Sequence, residues 1–190
     1  MPKDYATLPI NQARRADRAV TDEKWIREQL GRAPLGVLAT VYDGQPFVNS
    51  NLFVYDESEQ AIYLHTAGSG RTRTNVEASP KACFTVMEMG RLLPADVALE
   101  FSVEYSSVVV FGTISIIEDE AEGARALQLL LDKYFPHLQP DQDYRAITAE
   151  ELSRTSVYRL SIDKWSGKQK KVTEDFPGAF FYGQPPAEGK

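Results

Sequence analysis

The sequence predicts a mainly β fold, in which six short strands form a small antiparallel barrel with helices around it. Three observations support this class. Short apolar segments follow one another through turn residues, one long amphipathic helix appears late in the chain, and strands do not alternate with helices as in a doubly wound α/β fold. An open α+β sheet fits the same pattern and stays as the alternative.

The first half of the chain is predicted to contain one helix followed by three strands. Thr21 caps the helix, two acidic residues follow in its first turn, and Gly31 stops it. The strand PLGVLATV leads through an Asp-Gly turn into PFVNSNLFVY, and a second turn leads into AIYLHT. Three successive antiparallel strands form a meander.

The second half is predicted to contain three further strands and three helical segments. The strands share apolar central runs and read KACFTVMEM, SSVVVFGTISII and TSVYRLSIDKW. The segment GRLLPADVALEFSVEY is expected to be a loop between the first two of them. The helical segments are one or two turns in GSGRTRTNVEASP, the main helix in EDEAEGARALQLLLDKYF, and a short helix that Thr148 and Glu151 open with a capping box.

The chain has 190 residues, a length that suits one domain. We expect this domain to span residues 21–170, with arms rich in proline, glycine and charge at residues 1–20 and 171–190. The arms are expected either to be disordered or to wrap a partner subunit.

Composition excludes several classes of partner. The net charge is −6, which argues against binding to nucleic acid because that requires a basic face. No run of apolar residues is long enough to span a membrane. The first residues lack the apolar region of a signal peptide and Cys83 is the single cysteine, so the cytoplasm is the expected location.

One polar stretch, YLHTAGSGRTRTN, follows the third strand and could hold a phosphate. It lacks the spacing and the lysine of a nucleotide P-loop. Its glycines would still expose backbone N–H groups, and Arg71 could clamp a phosphate with its planar fork. From the residues alone, a phosphate site and a solvated turn both remain open.

The other reactive side chains are scattered. His65 ends an apolar strand, where it could be a half-buried structural residue or a functional one, and His137 follows a helix as a surface residue. Cys83 lies inside an apolar run, as small buried thiols commonly do. Asn49, Ser50 and Asn51 lie in the middle of an otherwise apolar strand and should have hydrogen-bond partners, either because the strand has an exposed edge or because these groups meet a polar heterocycle.

The order of these pieces resembles a known family. The segment PFVNSNLFVYDESEQAIYLHTAGSGRTRTNVEASPKACFTV is similar to the FMN-binding split-barrel family that includes pyridoxamine-phosphate oxidase. The segments LHT, EYSSVVVFGT and TSVYRLSIDKWSGK resemble its Nim branch, the nitroimidazole-resistance proteins. The resemblance covers roughly residues 20–170 and implies a six-stranded antiparallel split barrel.

The resemblance also implies a site. It puts Arg71 and Thr72 on the FMN phosphate, with Gly70 allowing close approach. Other residues implied at the flavin are Val48, Asn49, Ser50, Thr66, Ser106, Ser107, Trp165 and Lys168. Because the flavin of this family lies at a two-fold interface, the resemblance implies a homodimer in which some of these residues act from the second subunit.

Two positions depart from the oxidase pattern. Thr72 stands where oxidases have lysine, which lowers the positive charge around the phosphate. The segment WSGKQKK lacks the arginine-bearing substrate motif of pyridoxamine-phosphate oxidases, so that substrate is not expected.

The implied function is an FMN-dependent oxidoreductase of the Nim type. It would pass electrons from a reduced nicotinamide or another donor to a small nitroaromatic or related acceptor, and His65 would supply protons. The alternative is a non-catalytic protein that binds FMN or haem for storage or sensing, in which His65 would be an axial ligand of the haem iron.

Overall fold

The computed structural model describes residues 4–184, and its main element is an antiparallel sheet of eight strands. The outermost residues of both predicted arms, 1–3 and 185–190, lie outside the described residues. The strands in chain order are β1 Ala19–Val20, β2 Gly36–Tyr42, β3 Gln45–Asn51, β4 Val54–Asp56, β5 Ala61–Ala67, β6 Lys81–Leu93, β7 Ser102–Ile116 and β8 Thr155–Lys170. The helices are α1 Glu23–Arg32, α2 Arg71–Ala78, α3 Glu120–Tyr134 and α4 Ala149–Ser153.

The predicted fold class is confirmed. The strands lie in the order β3-β2-β6-β7-β8-β5-β4, and β1 pairs with β8 outside this path. The six predicted strands are all present, and the count rises to eight because one of them is interrupted and because two residues of the N-terminal arm pair with β8. The sheet curls around one main apolar cluster without closing into a continuous barrel.

The predicted meander is wrong within its second strand, which is divided into β3 and β4, whereas the antiparallel pairing of its end with the third strand is confirmed. Strand β3 pairs with β2 at one edge of the sheet, whereas β4 pairs with β5 at the other edge. The chain crosses between the edges at Phe53, whose N–H donates to the hydroxyl of Tyr134 at 3.0 Å and whose carbonyl accepts from the same hydroxyl at 3.0 Å. The ring of Phe53 is fully buried and packs edge-to-face against Phe84. Helix α3 therefore provides the hydrogen bonds that a neighbouring strand would otherwise provide.

Local turn and cap chemistry agrees with the sequence at two places. Asp43 and Gly44 both have positive φ angles, 49° and 73°, as a two-residue hairpin turn of type I′ requires. At α4, the N–H of Glu151 donates to the hydroxyl of Thr148, and the N–H of Thr148 donates to the carboxylate of Glu151. The predicted hairpin and capping box are confirmed.

Helix α1 differs from its prediction at both ends. Asp22, not Thr21, caps it, because the carboxylate of Asp22 accepts from the N–H groups of Lys24 and Trp25. Gly31 lies inside the last turn instead of stopping the helix, which ends before Pro34, a residue that disfavours helix just before it. Within residues 4–184 no helix is both long and apolar enough to cross a bilayer.

The predicted loop between β6 and β7 is instead a long hairpin. Arg91 on β6 forms a bidentate ion pair with Glu104 on β7, at 2.8 and 3.0 Å, and both side chains are largely buried. Glu104 also accepts the N–H of Val172, and Arg91 donates to the carbonyls of Thr173 and Glu174. The pair thus ties the start of the predicted C-terminal arm to the hairpin, and these bonds lower the pKa of Glu104 to about 2.

Candidate functional site

The N-terminus of α2 is open to a ligand. Gly70 stands at the cap position with a φ of 146°, a conformation that favours glycine, and it offers no capping side chain. A Cβ built on Gly70 would meet no heavy atom within 4 Å. The N–H groups of the first helical turn therefore have no side-chain acceptor, and together with the positive end of the helix dipole they suit a phosphate.

Arg71 is the cation available at this helix end. It is exposed, forms no ion pair with any described residue, and its guanidinium lies 5.8 Å from the ring centre of Tyr42. Arg73 has its own partners, since it donates to Glu77 at 2.8 Å and to the hydroxyl of Ser156 at 3.1 Å. Of the two arginines in this stretch, Arg71 is the one free to contact an anion.

The side chain of Thr72 is directed into the protein. It is buried, and its hydroxyl accepts a long hydrogen bond of 3.5 Å from the amide of Asn49 on β3. The same amide donates to Asn51, whose own amide donates back to the carbonyl of Asn49. The polar residues of β3 therefore find their partners in one another and in α2, and Thr72 offers a phosphate its backbone N–H.

The neighbours of Asn49 face the other way. Val48 and Ser50 are exposed on the opposite side of β3, because successive strand residues alternate between the two faces. Val48 lies in register with Ala39, and Ser50 with Val37. The structure thus brings Val48, Asn49 and Ser50 close to the helix end but divides their side chains between two surfaces.

His65 and Thr66 are divided in the same way. The hydroxyl of Thr66 lies 2.9 Å from that of Tyr158 on β8, on the inner face of the sheet. His65 is in register with Val157 on the outer face and is exposed as a whole residue. Neighbouring groups still desolvate its imidazole in part, and this burial lowers its pKa below the ordinary 6.5.

The remaining four predicted residues lie far from α2 in the single chain. Thr66 is in register with Ser156 at one end of β8, while Trp165 and Lys168 belong to the other end. Lys168 pairs in register with Ser107 on the outer face. Within one chain, these residues therefore do not belong to the site at the start of α2.

Two members of this distant group have partners of their own. Ser106 is buried and donates to Gln29 of α1 at 3.2 Å. Trp165 packs against the main core, with the guanidinium of Arg27 at 5.5 Å from its ring centre. Both side chains help to hold α1 on the sheet.

The family model described as pyridoxamine 5'-phosphate oxidase matches residues 22–169 of the chain. The chain belongs to this family. The predicted recognition is therefore confirmed, and with it the membership of a flavin-binding family of split-barrel proteins.

Solved structures show the same split-barrel fold. The FAD and heme binding protein from Mycobacterium smegmatis is 26% identical, with a TM-score of 0.73, over 83% of this chain and 76% of that one. The flavocytochrome Anf3 from Azotobacter vinelandii is 25% identical, with a TM-score of 0.73, over 94% of this chain and 87% of that one.

A third solved structure is a candidate 5-nitroimidazole antibiotic resistance protein from Bacteroides thetaiotaomicron. It is 19% identical, with a TM-score of 0.66, over 80% of this chain and 86% of that one. This likeness shows the fold alone. Among curated protein sequences, none matches the chain.

The sequence did not predict the cavity beside α2 in this split-barrel protein. The β2–β3 hairpin and α2 enclose a cavity of about 510 Å³, lined in part by Tyr42, Phe47, Arg71 and Asn75. The sequence indicated the hairpin turn and Arg71 separately. No spacing rule connects an aromatic hairpin with a helix that begins almost thirty residues later in the chain.

Proposed function

We propose that the chain binds a flavin through its phosphate at the N-terminus of α2, using the FMN moiety that FMN and FAD share. The observation that carries this proposal is the open helix end beside an unpaired arginine, Gly70 and Arg71. Backbone N–H groups would hold two phosphate oxygens and the guanidinium would neutralise the charge. Strand β3 lies next to this end, and its exposed residues Val48 and Ser50 would contact the ring on the outer face of the sheet.

With the flavin bound, the protein is an oxidoreductase of the Nim type. Electrons come from a reduced nicotinamide and go to a small acceptor, for which nitroimidazoles are the first class to test. A bound flavin supplies the electron chemistry, and the chain supplies position, exclusion of water and protons. Family membership supports the flavin, and the fold shared with the candidate resistance protein suggests the first acceptor.

The absorption spectrum of the purified protein, before and after addition of FMN, tests the flavin. We expect flavin bands that remain with the protein on gel filtration, and NADH consumption that depends on a nitroimidazole. Absence of flavin after reconstitution would contradict flavin binding. Bound flavin without NADH consumption would show that the protein binds flavin but is not this oxidoreductase.

We further propose that the protein is a homodimer with the flavin at the subunit interface. One row of outer-face residues crosses the sheet in register from Val48 through Ala39 and Cys83 to Phe111, and Met87 lies on the same face of β6, four residues beyond Cys83. None of these side chains is buried in the single chain, so the expected buried thiol of Cys83 is instead half-exposed. A contiguous apolar patch of this kind is typical of an interface between subunits.

Met87→Glu is expected to convert the dimer to a monomer. Met87 is 75% exposed in the single chain, and a two-fold interface would bury the new carboxylate twice without a partner. Sedimentation velocity measures the change. Leu99→Glu is the control, because Leu99 is 93% exposed outside this row, and it should remain dimeric. A wild-type protein that is monomeric at all concentrations tested would contradict the proposal.

A second candidate function is haem binding through His65. Two observations favour it: the relatives at 26% and 25% identity are named as a FAD and heme binding protein and a flavocytochrome, and the pKa of His65 is lowered. A lowered pKa keeps the imidazole neutral at neutral pH, and the neutral form is the one that ligates iron. Proton donation to a nitro group would need the other form.

The pH dependence separates the two roles of His65. As a ligand, it should give a haem Soret band at about pH 7.5 that weakens at about pH 5, where protonation competes. As a proton donor, it should instead give nitroimidazole turnover that rises on acidification towards and below its pKa. The control is His137→Ala, which changes the other histidine, an exposed one, and should affect neither. If His65→Ala changes neither haem binding nor turnover, His65 is a structural residue.

A further inference from the structure

The cavity beside α2 continues the phosphate site. Arg71 is the first residue of α2 and also lines the cavity of about 510 Å³, which falls within the usual size range of small-molecule sites. A ligand can therefore keep its phosphate in contact with Arg71 at the helix end while a group joined to that phosphate enters the cavity. The other wall is the end of the β2–β3 hairpin.

The walls of the cavity suit a flat heterocycle. Tyr42 is 41% exposed and Phe47 is half-buried, so both aromatic rings have surface left to contact a ligand. Pro46 adds an apolar surface beside them. Any nucleobase can stack on aromatic side chains of this kind, because every base has a flat π-face.

Asn75 is an independent indication of a ligand. It is fully buried, lines the cavity, and donates from its amide nitrogen to the hydroxyl of Thr40 at 2.9 Å. Its carbonyl oxygen Oδ1 has no hydrogen-bond partner in the part of the chain that the structure describes. A buried acceptor without a donor is unusual in a folded protein, and the exocyclic amine of adenine is a donor of suitable kind.

The charges decide which part of a ligand occupies the cavity. Exposed Asp43, in the hairpin turn, lines the cavity together with Arg71, so a phosphate placed at the hairpin side would lie near a carboxylate. A neutral base meets no such repulsion. The phosphates therefore belong at the helix end and the base against the aromatic side chains of the cavity.

We propose that this cavity binds the adenine of FAD, so that the protein prefers FAD to FMN. The inference rests on the proposed flavin site, and it adds a second site for the adenosine half. The residues that select the longer flavin are Tyr42 and Phe47, which stack on the base, and Asn75, which accepts its amine. The diphosphate lies between the two sites, at Arg71.

Calorimetric titration of flavin-free protein with FMN and with FAD tests the proposal. We expect wild-type protein to bind FAD about tenfold or more tightly than FMN, the worth of one stacked base. Tyr42→Ala should reduce this ratio towards one while changing the FMN affinity less than about threefold, since the phosphate site stays intact. Tyr42→Phe, which keeps the ring, should retain the wild-type ratio.

The outcomes that overturn the proposal differ from those that overturn the flavin site. The proposal is wrong if wild-type protein binds FMN and FAD with equal affinity, or if Tyr42→Ala leaves the affinity ratio unchanged. Either result would show that adenine does not bind in the cavity, without contradicting the flavin site. Binding of neither flavin would remove the flavin site itself. If Tyr42→Ala weakens NADH binding and leaves the FAD ratio unchanged, the cavity belongs to the electron donor and the assignment to FAD is wrong.

Discussion

Arg71→Ala is expected to weaken flavin binding by about 1.5–3 kcal/mol, or roughly 10- to 150-fold in Kd. The variant removes the one guanidinium of α2 that has no ion-pair partner among the described residues, and with it a charge-assisted hydrogen bond to the phosphate. The loss should stop short of abolishing binding, because Gly70 still leaves the N–H groups of the helix end open. Titration calorimetry with FMN measures the change.

Arg145→Ala is the matched control for this prediction. It removes the same charge from an exposed ion pair with Glu151, on a different part of the chain. Its flavin affinity should equal that of the wild type. If Arg71→Ala also retains wild-type affinity, the phosphate does not lie at the N-terminus of α2.

Glu104→Gln is expected to lower the free energy of unfolding by about 3 kcal/mol or more at neutral pH. The carboxylate accepts two bonds from the guanidinium of Arg91, one from the backbone N–H of Arg91 and one from the N–H of Val172. The glutamine side chain has no charge, so the largely buried guanidinium of Arg91 loses its counter-charge. The new NH₂ group also faces N–H donors with which it cannot form hydrogen bonds. Urea denaturation measures the loss.

The same group predicts how stability changes with acid. The pKa of Glu104 is lowered from 4.5 to about 2 in the folded protein, chiefly by the hydrogen bond from Arg91. The folded state therefore holds the proton less tightly than the unfolded state does. The stabilisation that this carboxylate provides is complete above pH 4.5 and is lost as the pH falls towards about 2.

The predicted loss of stability in Glu104→Gln has its own control. Glu151→Gln alters an ion pair of the same length that is exposed to solvent, and glutamine can keep the capping box. This variant should leave the urea midpoint nearly unchanged at neutral pH. An equal loss of stability in Glu104→Gln and Glu151→Gln would show that burial does not strengthen the Arg91–Glu104 pair.

Short-range chemistry made much of the fold predictable. The Asp43–Gly44 turn and the capping box of α4 depend on two to four neighbouring residues, so the sequence contains all the information they need. The crossing at Phe53 could not be found in that way. An alternating strand pattern is the same whichever edge of the sheet the strand joins, and the hydroxyl that terminates β3 comes from Tyr134 on a distant helix.

In the candidate site, too, local features could be predicted from the sequence and features that depend on packing could not. Gly70 and Arg71 were predicted because glycine and arginine at a helix start have a direct physical reason to bind phosphate. The opposite directions of His65 and Thr66 follow from strand periodicity and could have been predicted from adjacent numbering alone. The contact of Asn75 with Thr40 could not, because it depends on how α2 packs against the sheet.

The position of β8 has a consequence for how the protein is made. It is the last strand among the described residues, yet it lies between β7 and β5 and pairs with both. A nascent chain that ends before Thr155 would hold the β4–β5 ribbon with an unpaired edge and without its only link to β7. The connection of β5 to β7 therefore cannot form until β8 has been synthesised and has left the ribosome, and until then the open edges of β5 and β7 are surfaces for a chaperone to shield.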